Sequence, residues 1–418
     1  VKPVWYADGR FHYGVGIEDT FIPQERPGHR KLDLYELTQH YENWRTDLAL
    51  AAESGAELIR WGIPWYLTEP EPGRFDFRWI DQVAAELERL GLRCVVDLMH
   101  YGTPLWLENA FLDPGYPDAV ARYAGEVAGR YRGAFGDYTP LNEPMVNAEW
   151  CGLRGAWPPY LTGHSGFVRL AMILVEGMRS TQQAIRAADP AATIVHVDAG
   201  FQWAGDFGPD RSKAFLDEWR FVMTDLLFGR VDQAHPMWDY LVTNGAAEGR
   251  LSAFAADGLT PDVLGLNYYP GFTRQAFDAA TGRSVPVEAG RDGLVEQVRA
   301  YHERYGLPLA ITETSRPSAD PQAKIAWLDD LASAVTQLRG DGVPLVAGFW
   351  FPMLDMFEWE YRFDSRPLDD FQIRFGLVDL VRGPDNGLER RPNAAYEHFR
   401  RLTGAAEPLG AVSGRECQ

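Results

Sequence analysis

Cysteine is scarce: three residues in 418, at Cys94, Cys151 and Cys417. They show no paired spacing and no C-x-x-C, so neither a disulfide framework nor a thiolate zinc site is expected to hold the fold. Cys94 sits inside the apolar run RCVVDLM and reads as a buried free thiol. No apolar run approaches 18 residues, so no membrane-spanning helix is expected. No leader-like segment opens the sequence, and the expected location is the cytoplasm. Positive charge is also short, with 40 Lys and Arg against 59 Asp and Glu, a net charge of −19. That balance argues against nucleic acid and anionic membrane as partners, and fits poorly with a strongly anionic substrate. No G-x-G-x-x-G follows the first apolar segment, and no H-x-H or H-E-x-x-H spacing occurs, so neither a dinucleotide cofactor nor a bound metal is expected. There is no internal repeat and no linker.

What is present is ordinary in bulk and regular in order. The hydrophobic share is 46% and the charged share 24%, as in globular proteins at large. Fourteen tryptophans and 13% aromatics exceed what a core needs and suit a lined cleft. Apolar runs alternate with amphipathic stretches along the chain. Phe11 to Asp19 reads as a first strand, followed by a helix from His40 to Gly55. Strand Glu57–Ile63 leads to helix Arg78–Gly91, strand Arg93–His100 to helix Asp118–Ala134, and strand Asp137–Glu143 to the long helix Gly163–Ala188. Strand Ala192–Ala199 precedes helical pieces at Ser212–Phe228 and His235–Asn244. Strand Asp262–Tyr269 precedes helix Asp292–Tyr305, strand Leu307–Glu313 precedes helix Pro321–Arg339, and strand Pro344–Phe351 precedes a last helix, Asn393–Leu402. Eight such units predict an α/β chain of one (β/α)8 TIM barrel over residues 1–403, with 404–418 as a frayed tail. Phe272 to Arg291 and Glu360 to Gln372 are then long excursions at the catalytic face.

In such a barrel the chemistry collects at the C-terminal ends of the strands. Those ends carry Glu18–Asp19, Arg60, His100, Asn142–Glu143, Asp198, Asn267–Tyr268–Tyr269, Glu313 and Trp350–Phe351, with Glu358–Trp359 just beyond. TPLNEP places Glu143 after one strand, and LAITET places Glu313 at the end of another, 170 positions on. Two glutamates at strand ends are what retaining glycoside hydrolysis needs, an acid/base and a nucleophile about 5–5.5 Å apart. Arg60 beside Glu313 would keep a nucleophile ionised, and Tyr269 could orient it. A less polar pocket and a second carboxylate would raise the pKa of an acid. Asn142 could bind a sugar 2-hydroxyl, while His100, Glu18, Glu358 and Trp359 offer donors and acceptors for other hydroxyls.

TPLNEP, ITET, HYGTPLWL (His100 to Leu107), GLNYY (Gly265 to Tyr269), GFWFPMLDMFEW (Gly348 to Trp359) and RFGLVDL (Arg374 to Leu380) together resemble family 1 of the glycoside hydrolases, the retaining β-glycosidases. The resemblance runs in order from Phe11 to about Asp379. It implies Glu143 as acid/base and Glu313 as nucleophile. Arg60, His100, Asn142, Tyr269, Glu358 and Trp359 are implied around the sugar; Glu18, Asn267 and Trp350 complete the candidate set. The first strand departs from the family: GVGIEDTF puts Glu18, Asp19 or Thr20 where a glutamine is usual. Thr314–Ser315 stand where Asn-Gly is usual, and Phe351, with Trp350 beside it, where a tryptophan is usual. These departures imply an altered glycone site acting on a small glycoside or oligosaccharide. Other readings are a transglycosidase, a metal-dependent barrel hydrolase using His100, His196, Asp198 and Glu313, and a sugar-binding barrel without turnover.

Overall fold

Long apolar runs have no solvent face to offer, so they satisfy their backbones by pairing with one another under a coat of helices. Eight do so here: β1 (His12–Gly16), β2 (Leu58–Gly62), β3 (Arg93–Asp97), β4 (Asp137–Thr139), β5 (Thr193–Asp198), β6 (Val263–Asn267), β7 (Leu309–Thr314) and β8 (Leu345–Trp350). Each is parallel to its neighbours, and β1 pairs with both β2 and β8, which closes the barrel. This computed structural model describes residues 4–23, 26–207, 211–281 and 283–405. The expected tail lies outside them from residue 406 onward, as does Cys417.

The coating helices follow from their apolar spacing. In Arg78–Leu90 the buried residues are Ile80, Val83, Ala84 and Leu87, one stripe at helical period, and Gly91 at φ 72° ends the helix. The other long helices are His40–Glu53, Tyr116–Arg130, Gly163–Ala188, Gly290–Tyr305, Pro321–Gly340 and Ala394–Thr403. Among the described residues, no helix is long and apolar enough to cross a membrane. Two expectations shift in detail. The fourth strand stops at Thr139, not at Glu143, because Pro140 has no N–H to give the ladder. The excursion Phe272–Arg291 is a hairpin of Arg274–Asp278 and Arg283–Val287, which joins Gln202–Ala204 in a small sheet above the barrel mouth.

The barrel interior changes character along its axis. Its lower part is hydrocarbon, built from Leu58, Val95, Val195, Val197, Val263, Ala310, Ala347 and Phe349, and closed beneath by Trp5. Strand side chains alternate faces, so the next interior residue lies two positions on. Leu58 is followed by Arg60, Val95 by Asp97 and Ala310 by Thr312, so the upper part is polar while still buried. Gly14 and Gly16 on β1 leave the space taken by the rings of Phe349 and Phe351. A side chain at either glycine would collide with those rings.

Candidate active site

Above the polar layer lies a cleft of about 1000 Å³, lined by Glu18, His100, Tyr101, Glu143, Tyr269, Glu313, Glu358 and Trp359. Its lining also includes Trp150, Phe201, Trp203 and Trp219, with Arg154 and Arg211. The volume is at the upper end of small-molecule sites.

Glu143 reaches the cleft through a backbone turn. It adopts φ 44°, ψ 64°, a left-handed conformation uncommon for any residue but glycine, and helix Pro144–Ala148 starts directly after it. Main-chain bonds hold the turn: Asn142 N–H donates to Met99 O at 2.9 Å and Glu143 N–H to Val197 O at 3.2 Å. The main chain just beyond β3 and strand β5 thus hold this strained turn from both sides, as is usual where function requires an exact side-chain position. Glu313 reaches the cleft differently. Strict alternation from Ala310 and Thr312 would point it outward, but the register of β7 shifts between Ile311 and Glu313. That irregularity re-aims its side chain into the barrel mouth.

The two carboxylates differ in what touches them. Arg60 Nη1 donates to Glu313 Oε1 at 2.7 Å, and the Tyr269 hydroxyl donates to Oε2 at 2.7 Å. Glu143 has no cation in contact: it accepts from the Tyr101 hydroxyl and, at 3.0 Å, from Asn267 Nδ2. A chain of oriented bonds joins them. Arg60 Nη2 donates to Asn142 Oδ1 at 3.0 Å, Asn267 Nδ2 reaches the same oxygen at 3.3 Å, and Thr312 Oγ1 donates to Asn267 Oδ1 at 2.8 Å. Both protons of Asn142 Nδ2 are then committed, to His100 Nε2 at 2.8 Å and the Tyr101 hydroxyl at 3.1 Å. Asp97 completes the layer, 2.5 Å from Arg60 Nη2.

Burial is the largest influence on both glutamates and raises both. It pushes Glu313 up to about 7, with Arg60 opposing and the charge of Glu143 adding to the rise. Glu143 rises too, against the bonds from Tyr101 and Asn267. The pair therefore keeps a proton into the neutral range. The contacts favour Glu143 as its seat, since a guanidinium favours charge on the carboxyl it touches. Burial also acts first on Asp97, but Arg60 and His100 outweigh it and hold this carboxyl below its ordinary value. For His100, burial opposes protonation, and Asp19 and Glu18 more than reverse that. The amide of Asn142, however, donates to Nε2, which requires a lone pair there. Because Arg60 and Asn267 orient that amide, we assign a neutral ring with Nδ1–H toward Asp19 Oδ1, 2.9 Å away.

The expected residues thus divide. Glu18, His100, Tyr269, Glu358 and Trp359 line the cleft with the two glutamates, and Arg60, Asn142 and Asn267 form the layer beneath. Trp350 does not belong with them. It occupies the outward face of β8, fully buried, and donates to Phe375 O at 3.1 Å, while Phe351 takes the inward place and stacks on His100. Thr314 and Ser315 also face away, bonded to Trp327 Nε1 and to Phe351 O. His196 and Asp198 point outward from β5, both onto the Thr224 hydroxyl, so the imagined metal set does not converge. Sequence reasoning missed Tyr101, which sits directly after His100, and Asp97. A carboxylate two positions beyond Val95 on an apolar strand was the available signal.

A family model described as Glyco_hydro_42, beta-galactosidase, matches residues 34–130, a stretch that includes β2 and Arg60. Over most of its length the chain is similar to a beta-glucosidase of Agrobacterium sp., 23% identical over 399 residues that cover 82% of this chain and 80% of the relative. It is likewise similar to beta-glucosidase A of Thermotoga maritima, 24% identical over 412 residues, or 89% and 88% of the two chains. Beta-galactosidase BgaH of Haloferax lucentense matches more locally, 37% over 73 residues, 17% of this chain and 11% of that one. Among solved structures, the family 1 β-glucosidase of Thermotoga maritima superposes with a TM-score of 0.80 at 20% identity, covering 96% and 99% of the two chains. Fold and matches together define a glycoside hydrolase built on one (β/α)8 barrel. More narrowly, the chain is similar over most of its length to β-glucosidases, among them a structure of family 1.

Proposed function

We propose that the chain is a retaining β-glycosidase that works by double displacement. A Glu313 oxygen attacks the anomeric carbon as the glycosidic C–O bond breaks, and Glu143 passes its proton to the departing oxygen. Glu143, now a carboxylate, takes a proton from water. The water oxygen bonds to the anomeric carbon and displaces Glu313, which restores both groups. One observation carries this reading: two buried carboxyls share a cleft, one on a guanidinium and the other held only by neutral donors. Tyr269 keeps Glu313 aimed, and Asn142, oriented by Arg60, is the group we assign to a sugar hydroxyl next to the reacting carbon. That hydroxyl would take over one of the protons Asn142 now gives to His100 and Tyr101.

The substrate class is a small glycoside, in keeping with relatives named for β-glucosides and β-galactosides. The glycone end is altered: of the three departures from the family pattern, the one at the first strand puts a cleft-facing carboxylate, Glu18, on its floor. The test is turnover of activated aryl β-glycosides by Glu313→Ala, with and without azide. We expect a loss on the order of 10⁴ to 10⁶ in kcat, as for removal of a nucleophile, and partial recovery with azide as a glycosyl azide forms. Undiminished turnover would remove Glu313 from the role.

A further inference from the structure

Glu18 is the acceptor on the cleft floor that the mechanism does not use. It is 7% exposed, and its Oε1 accepts the Thr20 N–H at 3.0 Å. That is the only hydrogen bond its side chain makes among the described residues, which leaves Oε2 without a hydrogen-bond partner on a residue that lines the cleft. The nearest cation candidate, His100 Nε2, stands 3.8 Å away and already accepts from Asn142.

The charges around it do not balance. The floor holds the carboxyls of Glu18, Asp19, Asp97, Glu143 and Glu313, against one guanidinium, Arg60, and one imidazole, His100. Arg60 is engaged by Asp97 and Glu313, and His100 by Asp19. Even with Glu143 protonated, negative charge is left over; Asp19 at least faces the His100 Nδ1–H, whereas Glu18 has neither a cation nor a ring N–H in contact. The cleft lining adds two more carboxyls, Glu358 and Glu360, and its arginines, Arg154 and Arg211, contact Glu149 and His164 instead. An ionised carboxylate only accepts. A neutral hydroxyl would give it one bond and leave the charge uncompensated in a dry site, whereas an ammonium supplies both the donors and the missing charge.

We infer that Glu18 selects a glycone bearing a basic amino group, an aminodeoxy sugar whose ammonium sits against Oε2. The inference rests on the glycosidase reading above and names its substrate class. The ammonium replaces a ring hydroxyl remote from the anomeric carbon, because Glu143 and Glu313 hold the reacting bond.

The experiment compares kcat/KM at pH 7 for 4-nitrophenyl β-glucoside, its 3-, 4- and 6-aminodeoxy analogues and their N-acetyl derivatives, in the native enzyme and in Glu18→Gln. One amino analogue should exceed the parent glucoside by about 10- to 100-fold, the range of a charge-assisted hydrogen bond. Acetylation should abolish the advantage. Glu18→Gln keeps the shape and removes the charge, so the amino-to-hydroxyl ratio should fall to near or below one, mainly through KM. A native enzyme that hydrolyses the parent glucoside and disfavours every amine would overturn the inference and leave the glycosidase reading intact. So would a ratio that Glu18→Gln does not move. No turnover of any member would instead defeat the glycosidase reading, and this inference with it.

Discussion

The lower and upper halves of the barrel interior are built from the same eight strands and obey opposite rules. Below, Leu58, Val95, Val195, Val197 and Val263 pack as hydrocarbon over Trp5. Two positions further along the same strands, Arg60 and Asp97 are as deeply buried as the valines. The lower half is stabilising and chemically silent. The upper half is expensive to desolvate, and a chain of oriented hydrogen bonds from Thr312 through Asn267 and Asn142 to Arg60 offsets that cost. The difference teaches that this fold keeps stability and chemistry apart by level within one barrel.

After Glu313→Ala, the largest effect should come from breaking the upper half at its proposed proton donor. Glu143→Ala should lower kcat/KM by about 10² to 10⁴ for alkyl glycosides, whose leaving oxygen needs the proton. For dinitrophenyl glycosides the first step should be almost unaffected, read as a burst of phenol. An equal loss with both leaving groups would deny Glu143 the acid role.

Next is the cation on which the upper half depends. Arg60→Met leaves Asp97 and Glu313 buried without their counter-charge and should cost about 3–5 kcal/mol in denaturant unfolding, with loss of turnover. Leu58→Ala, one layer below, should cost about 2–5 kcal/mol yet leave the pH profile of kcat/KM where it was. If Leu58→Ala moved that profile, the separation by level would fail.

The smallest effect is a slope. Burial first, against His100, raises Asp19 to about 7, and the Glu143–Glu313 pair, both members raised by burial, keeps a proton into the neutral range. The folded chain therefore binds these protons more tightly than the unfolded one. Their contribution to stability is full below the unfolded carboxyl pKa near 4 and is lost as pH rises toward 7. Burial holds His196 down to about 3, which contributes in the opposite sense over much of the same window, so the test is the difference between curves. Asp19→Asn should remove a downward contribution and make the melting temperature rise more, or fall less, from pH 4 to 7 than in the native chain. Leu58→Ala should lower the whole curve without changing its slope. An Asp19→Asn curve parallel to the native one would contradict the assigned direction.

How much of this was legible in the chain depends on what each level asks of a residue. The order of strands and helices could be read because a strand covered on both faces must be apolar throughout, as in LPLAITE and PLVAGFWF. The same property hides direction. Trp350 and Phe351 are equally apolar, and only the closed barrel shows that Phe351 faces in and Trp350 out. Asp198 looked like a site residue by its position at a strand end and His196 could be imagined as a metal ligand beside it, yet their alternation with the inward-facing Val195 and Val197 sends both into the helical coat. Arg60 and Glu313 could be found because charge on an apolar strand has few other uses. Asp97 met that criterion equally well, while Tyr101 could be recognised only from the loop that carries its hydroxyl to Glu143. The hairpin at Arg274–Val287 has neither an apolar face nor burial to announce it, since its second strand is almost wholly exposed.

Gly16 has a reach beyond its own strand. The ring that fills the space above it, Phe351, also lies 5.2 Å from the Arg60 guanidinium and stacks on His100. A methyl group at position 16 would be felt less by β1 than by the cation and imidazole that set the floor of the cleft. Anyone reshaping sugar preference through Glu18 to Thr20 is therefore working two residues from a hidden lever. A mutant library that lets Gly16 vary would lose catalysts for reasons unrelated to the sugar, and one that holds it fixed would let changes at 18 to 20 be read on their own terms.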